Sequence, residues 1–181
     1  MKLIDVLITI VCGEALAVVL AELYPQATYV FIVLIPLLTV AGMWALEKLN
    51  NRVFILFQLA KHVLVGVFAM FIDLETFQFI SLFLGTSIAF FITTSKALSF
   101  LIAAIAKFIG NKYWVFEKMQ RDGIKKELLM FFIITIVGLL IDLAAFIGFS
   151  CTFNVSISVI LAAIVAAVWN FLGYKFIAFK A

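Results

Sequence analysis

Charge is scarce in this chain: 13% of its 181 residues are Asp, Glu, Lys or Arg, against about 25% in an ordinary soluble domain. Histidine is nearly missing, with His62 alone, and cysteine is limited to Cys12 and Cys151. A lone histidine and two distant cysteines leave no metal-ligand cluster, and two cysteines build no disulfide framework. Both cysteines lie in or beside apolar runs, where the thiol serves as a small packing group. No basic stripe lies on a soluble element, which removes nucleic acid as a partner. There is no Ser-His-Asp set, no Gly-rich phosphate loop and no surrounding that would make a cysteine nucleophilic. The expectation is a protein that is not an enzyme and uses no cofactor.

What fills the chain instead is apolar: 67% of residues, with a mean hydropathy of +1.29. Too few polar residues remain to cover a water-facing surface, so lipid must supply the missing solvent. A span needs about 20 mostly apolar residues, and six stretches qualify: 5–23, 28–46, 58–82, 94–114, 128–149 and 156–177. They are separated by Pro25 and Gln26, by Glu47 to Arg52, by Gly85 to Ser95, by Glu117 to Glu127 and by Ser150 to Asn154. Asp5 and Glu14 interrupt the first run, which is therefore expected to stay as a span and not to be cleaved as a signal peptide. The fold class is an all-α, polytopic membrane helix bundle.

Lysine and arginine favour the cytoplasmic side. With six spans and the N-terminus inside, that side holds Lys2, Lys48, Arg52, Lys61, Lys107, Lys112, Lys118, Arg121, Lys125, Lys126, Lys175 and Lys180, leaving Lys96 alone outside. Both termini are thus expected in the cytoplasm of a cell-membrane protein.

Two motifs recur. Ile72-Asp73-Leu74 with Phe77 matches Ile141-Asp142-Leu143 with Phe146, at an offset of 142 − 73 = 69. Phe108-Ile109-Gly110-Asn111-Lys112-Tyr113-Trp114-Val115-Phe116 aligns with Phe171-Leu172-Gly173-Tyr174-Lys175-Phe176-Ile177-Ala178-Phe179, at 171 − 108 = 63. The expected core is therefore two parallel two-span repeats, about 57–116 and 126–179, within a region 53–181. Residues 1–52 carry neither motif and are expected to add a helical hairpin.

Asp73 and Asp142 each lie about 12 residues beyond the inner boundary of their spans, roughly 18 Å deep at helical rise. An intramembrane carboxylate costs about 2.5–3.5 kcal/mol to insert and marks function by default. Two at equivalent positions suggest a shared polar cavity, the alternative being protonated carboxyls that hydrogen-bond between helices. Glu75 points to a different face from Asp73, and Glu14 is a further carboxylate outside the repeat. Phe108, Asn111 and Lys112 share one helix face by their spacing, and Phe171, Tyr174 and Lys175 repeat it. Lys112 and Lys175 are expected at the interface, where an ammonium can meet a lipid phosphate or simply anchor the topology. Trp114, Tyr113 and Phe176 supply interfacial aromatics, and His62 is an interfacial polar residue. Asn170 aligns with Lys107, and either adds a polar contact to the same cavity.

The Asn111 to Phe116 stretch, with Gly66 and Asp73 before it and Gly138 to Asp142 and Trp169 to Phe179 after it, resembles the GtrA-like family of small membrane proteins over about residues 57–179. Tyr174 and Ile177 depart from that family's Asn and Trp, which sets the two lysines on an unequal footing. The resemblance implies a four-span core and a flippase role in polysaccharide biosynthesis, in which a polyprenyl-phosphate-linked sugar is moved from the cytoplasmic to the outer leaflet. The implied substrate-binding set is Asp73, Asp142, Asn111, Lys112, Lys175, Asn170, Trp114 and Tyr174. The implied partners are the lipid-linked sugar phosphate, membrane lipid, a membrane glycosyltransferase and a second copy of the chain. Two alternatives stay open: a non-transporting partner that recruits or stabilises a glycosyltransferase, and a small proton-coupled drug exporter with Glu14 or an aspartate as its proton site.

Overall fold

The computed structural model describes residues 2–49, 54–84, 89–120 and 122–180. The turns expected around 50–53 and 85–88, together with Arg52 and Arg121, lie outside the described residues. Among those described there are six α-helices and no strand. They are α1 (Leu3–Leu23), α2 (Thr28–Leu49), α3 (Phe54–Leu84), α4 (Ala89–Gly110), α5 (Ile124–Ser150) and α6 (Val155–Gly173). A 3-10 turn, Pro25–Ala27, joins α1 to α2. Each helix, with its short extensions, is long and apolar enough to cross a membrane. Apolar residues ring the helices on all sides, as suits segments solvated by lipid. The chain is a multi-pass membrane protein.

The fourth span starts earlier than expected: Ala89–Ser95, read as part of a separator, is already helical. Its threonine and serine explain the difference. Thr94 and Ser95 turn their hydroxyls back onto the carbonyls of Phe90 and Phe91, at 2.8 and 2.9 Å, so neither interrupts the helix.

The chain divides into two compact units, Met1–Val115 and Phe116–Ala181. In the first, α1 packs on both α2 and α3, and α3 pairs with α4. Small residues of α1, Cys12, Ala15 and Ala17, are buried. Gly13 lets α1 and α2 approach closely, since a Cβ there would lie 2.8 Å from the Pro36 Cα. Gln78 donates to Glu22 across 3.4 Å and ties the far end of α1 to α3.

In the second unit α5 and α6 form a hairpin. Gly123, at φ +79°, turns the chain into α5. Asn154 caps α6 by accepting from the Ile157 N–H at 3.0 Å. Gly138 makes room for Asn170, since a Cβ there would come within 2.9 Å of the Asn170 Cγ. Gly138→Ala is therefore expected to destabilise the protein by about 1–3 kcal/mol through overpacking. Adding Asn170→Ala should recover most of that loss in detergent-solubilised thermal unfolding.

Candidate functional site

The last turns of both core hairpins leave the α-helical register. After α4, residues Asn111–Val115 wind as a π-helix, and after α6 so do Tyr174–Ala178. These are the aligned copies of the lysine motif, at 174 − 111 = 63. A π-turn shifts each backbone N–H from the fourth to the fifth preceding carbonyl, leaves carbonyls short of partners and often marks a functional site.

Side chains make up the shortfall in the first unit. Asn111, fully buried, donates through Nδ2 to the Lys107 carbonyl at 2.7 Å. Its Oδ1 then faces the ring of His62, 2.6 Å away, so the His62 Nδ1–H is the donor. Gln58 donates to the Val115 carbonyl at 3.4 Å. Beside them Lys61 pairs with Asp5 at 2.6 Å, and the Trp114 Nε1–H donates to the same carboxylate oxygen at 2.9 Å. Asp5 also accepts from the Lys2 backbone N–H at 3.2 Å, closing the first turn of α1. Asp5, Lys61, His62, Asn111 and Trp114 are all buried.

Lys112 is buried too, with no measurable exposure. Its Nζ lies 5.6 Å from the centroid of the Tyr113 ring. Trp114 is buried as well, its indole N–H donating to Asp5. His62, expected at an interface, is 3% exposed.

The second unit answers the same geometry with an aromatic set. Tyr174 is fully buried, stacks on Phe131 at 4.6 Å and meets the Thr135 hydroxyl at 2.7 Å. Thr135 gives its own hydrogen to the Phe131 carbonyl, so the Tyr174 hydroxyl donates. Lys175 is half-buried, its Nζ 5.7 and 5.9 Å from the Phe171 and Phe176 ring centroids. The Oδ1 of Asn170 is buried without a hydrogen-bond partner. At the lysine-bearing end of this unit, Lys118, Lys126, Lys180, Asp122 and Glu127 line a pocket of about 310 Å³. Lys118 there reaches Glu127 at 3.0 Å and the Lys180 carbonyl at 2.6 Å.

The two intramembrane aspartates differ. Asp73 accepts from Ser99 at 2.5 Å and forms an ion pair with Lys96, the one basic residue set apart by the charge pattern. At the offset of 63, Lys96 and Ser99 correspond to Val159 and Ala162, neither of which can neutralise a carboxylate. Asp142 is half-buried and has no hydrogen-bond or ion partner among the described residues. Glu75 is exposed. Among the described residues no three His, Cys, Asp or Glu side chains converge to hold a metal ion.

A family model described as GtrA/DPMS, transmembrane domain, matches residues 61–179. The chain belongs to this family. No curated protein and no solved structure matches it. GtrA/DPMS membership fits membrane-associated handling of lipid-linked sugars. The match begins at Lys61 and takes in both π-turns, while α1 and α2 lie outside it. Asp5, on a helix outside the matched region, therefore pairs with the first residue of that region.

Sequence reasoning missed Asp5, Lys61 and His62 as parts of the buried cluster, and Lys96 as the partner of Asp73. A signal was available for Lys61 and His62: two polar residues one turn after Gln58 in a continuous apolar run need partners if they are not at an end.

Proposed function

We infer that this chain carries a polyprenyl-phosphate-linked sugar between membrane leaflets for cell-surface polysaccharide synthesis. It makes and breaks no covalent bond. The supporting observation is the pair of π-turns, which set Lys112 and Lys175 at the ends of apolar hairpins. In the first unit a buried polar cluster stands beside the turn. The phosphate of the ligand suits an ammonium such as Lys112, and the prenyl tail suits the lipid-facing helix surfaces. Lys175, seated against two phenylalanines, is the weaker counterpart. Within the second unit, Asp142 and the unpaired Asn170 Oδ1 are acceptors suited to sugar hydroxyls, whereas in the first unit Asp73 is engaged by Lys96 and Ser99. In this reading the lysine-rich helix ends face the cytoplasm, in keeping with the distribution of basic residues.

A partner that only recruits a glycosyltransferase needs no such carboxylate. The two are separated in proteoliposomes containing this protein alone, without any glycosyltransferase. Wild type is expected to expose a fluorescent polyprenyl-phosphate-linked sugar to an externally added, membrane-impermeant reagent faster than protein-free liposomes do. Equal rates with and without the protein would overturn translocation and leave recruitment.

A further inference from the structure

A cavity in the first unit lies away from the lysine motif. It is a groove of about 780 Å³ between α1 and α2, within the size range of small-molecule sites. Val6, Ile10 and Glu14 line it from α1, at the four-residue spacing that puts them on one stripe. Ile32, Val33, Pro36, Leu37, Val40, Ala41 and Trp44 complete it from α2. Glu14 is its one ionisable residue; no lysine or arginine lines it.

Glu14 stands eleven residues from Leu3 and nine from Leu23, so it falls near the middle of the span. It is half-buried, and among the described residues it has no hydrogen-bond or ion partner. Carboxylates at such depth face a bundle interior or a cavity and mark ligand or ion pathways. Pro36, on the α2 side of the groove, has no N–H to give to the Ile32 carbonyl and so interrupts the helical ladder there. Trp44, which also lines the groove, has one ring face taken by Lys48, whose Nζ lies 3.6 Å from the centroid. Apolar walls and a single carboxylate, with no lysine or arginine among the lining residues, complement one ligand chemistry.

We propose that the α1–α2 groove binds an amphipathic organic cation, with Glu14 as the counter-ion. The walls take the apolar body and Glu14 takes the charge. This is a second site, outside the region matched by the family model, and it does not depend on lipid-linked sugar transport.

The test uses the full chain in nanodiscs of zwitterionic lipid, with tetraphenylphosphonium as probe and tetraphenylborate, the same shape with the opposite charge, as control. Saturable binding of the cation and not of the anion is expected. Glu14→Gln should weaken cation binding by about tenfold or more, the loss of one charge-assisted contact. Glu14→Asp should retain binding, and Leu37→Trp should block it by filling the groove, each variant keeping the wild-type melting temperature. Three results would overturn the proposal: equal binding by Glu14→Gln, equal binding of tetraphenylborate, or a dimer that Leu37→Trp dissociates, which would make the groove a contact between copies. Loss of sugar translocation with cation binding intact would count against the transport reading alone.

Discussion

Replacing Lys112 by alanine is expected to reduce translocation of the lipid-linked sugar to the rate of protein-free liposomes. Lys112 has no exposed surface and sits in a π-turn among Asn111, Trp114 and Val115, all buried. An anionic phosphate brought to that position would lose its counter-charge in the variant. Removing one partner of a buried charge pair costs about 3–5 kcal/mol, which corresponds to more than a hundredfold in affinity. Lys112→Arg keeps the charge on a larger, planar head and should retain part of the activity. Lys175→Ala should cost only a few-fold, because Lys175 is half-buried and packed on Phe171 and Phe176. Initial rates at matched reconstitution density, with melting temperatures recorded for each variant, separate function from folding. Wild-type rates for Lys112→Ala would remove this lysine from the mechanism.

The second large effect is on stability. Asp5 and Lys61 form an ion pair whose side chains are 7% and 3% exposed, and Trp114 donates to the same carboxylate. Asp5→Ala would leave a buried ammonium, and Lys61→Ala a buried carboxylate. Each is expected to destabilise the first unit by about 3–5 kcal/mol. The double variant Asp5→Leu/Lys61→Met should lose much less than the sum, since apolar replacement of both charges is close to neutral in comparable interiors. Denaturant unfolding in detergent, followed by tryptophan fluorescence, measures all three. Additive losses would show that the two residues act independently.

The spans were legible because length and hydropathy are all that crossing a membrane demands, and α1, α2, α3, α5 and α6 start and stop within a few residues of expectation. Asp73 and Asp142 stood out because a carboxylate deep in an apolar run has few bland explanations. The partners did not stand out. Trp114 and Asp5 are 109 residues apart, and helices apolar on every face carry no stripe that says which side meets which neighbour. Spacing of i, i+3 and i+4 put Phe108, Asn111 and Lys112 on one face, and all three are buried, but nothing in that spacing announced the π-turn that begins at Asn111. Lys96 read as the odd charge in the topology, and its role as the partner of Asp73 appears only when α3 and α4 pair. Residues 1–52 looked like an addition; Asp5 gives that addition a direct hold on Lys61.

That the π-turns hold the phosphate is tested most directly by photo-crosslinking. A polyprenyl phosphate bearing a diazirine beside the phosphate is irradiated with the full chain in nanodiscs, and the labelled peptides are mapped by mass spectrometry. Label is expected within residues 107–115 most strongly and 171–178 more weakly, with competition by unlabelled lipid phosphate. Label confined to α2, or spread evenly over all six helices and insensitive to competition, would contradict it.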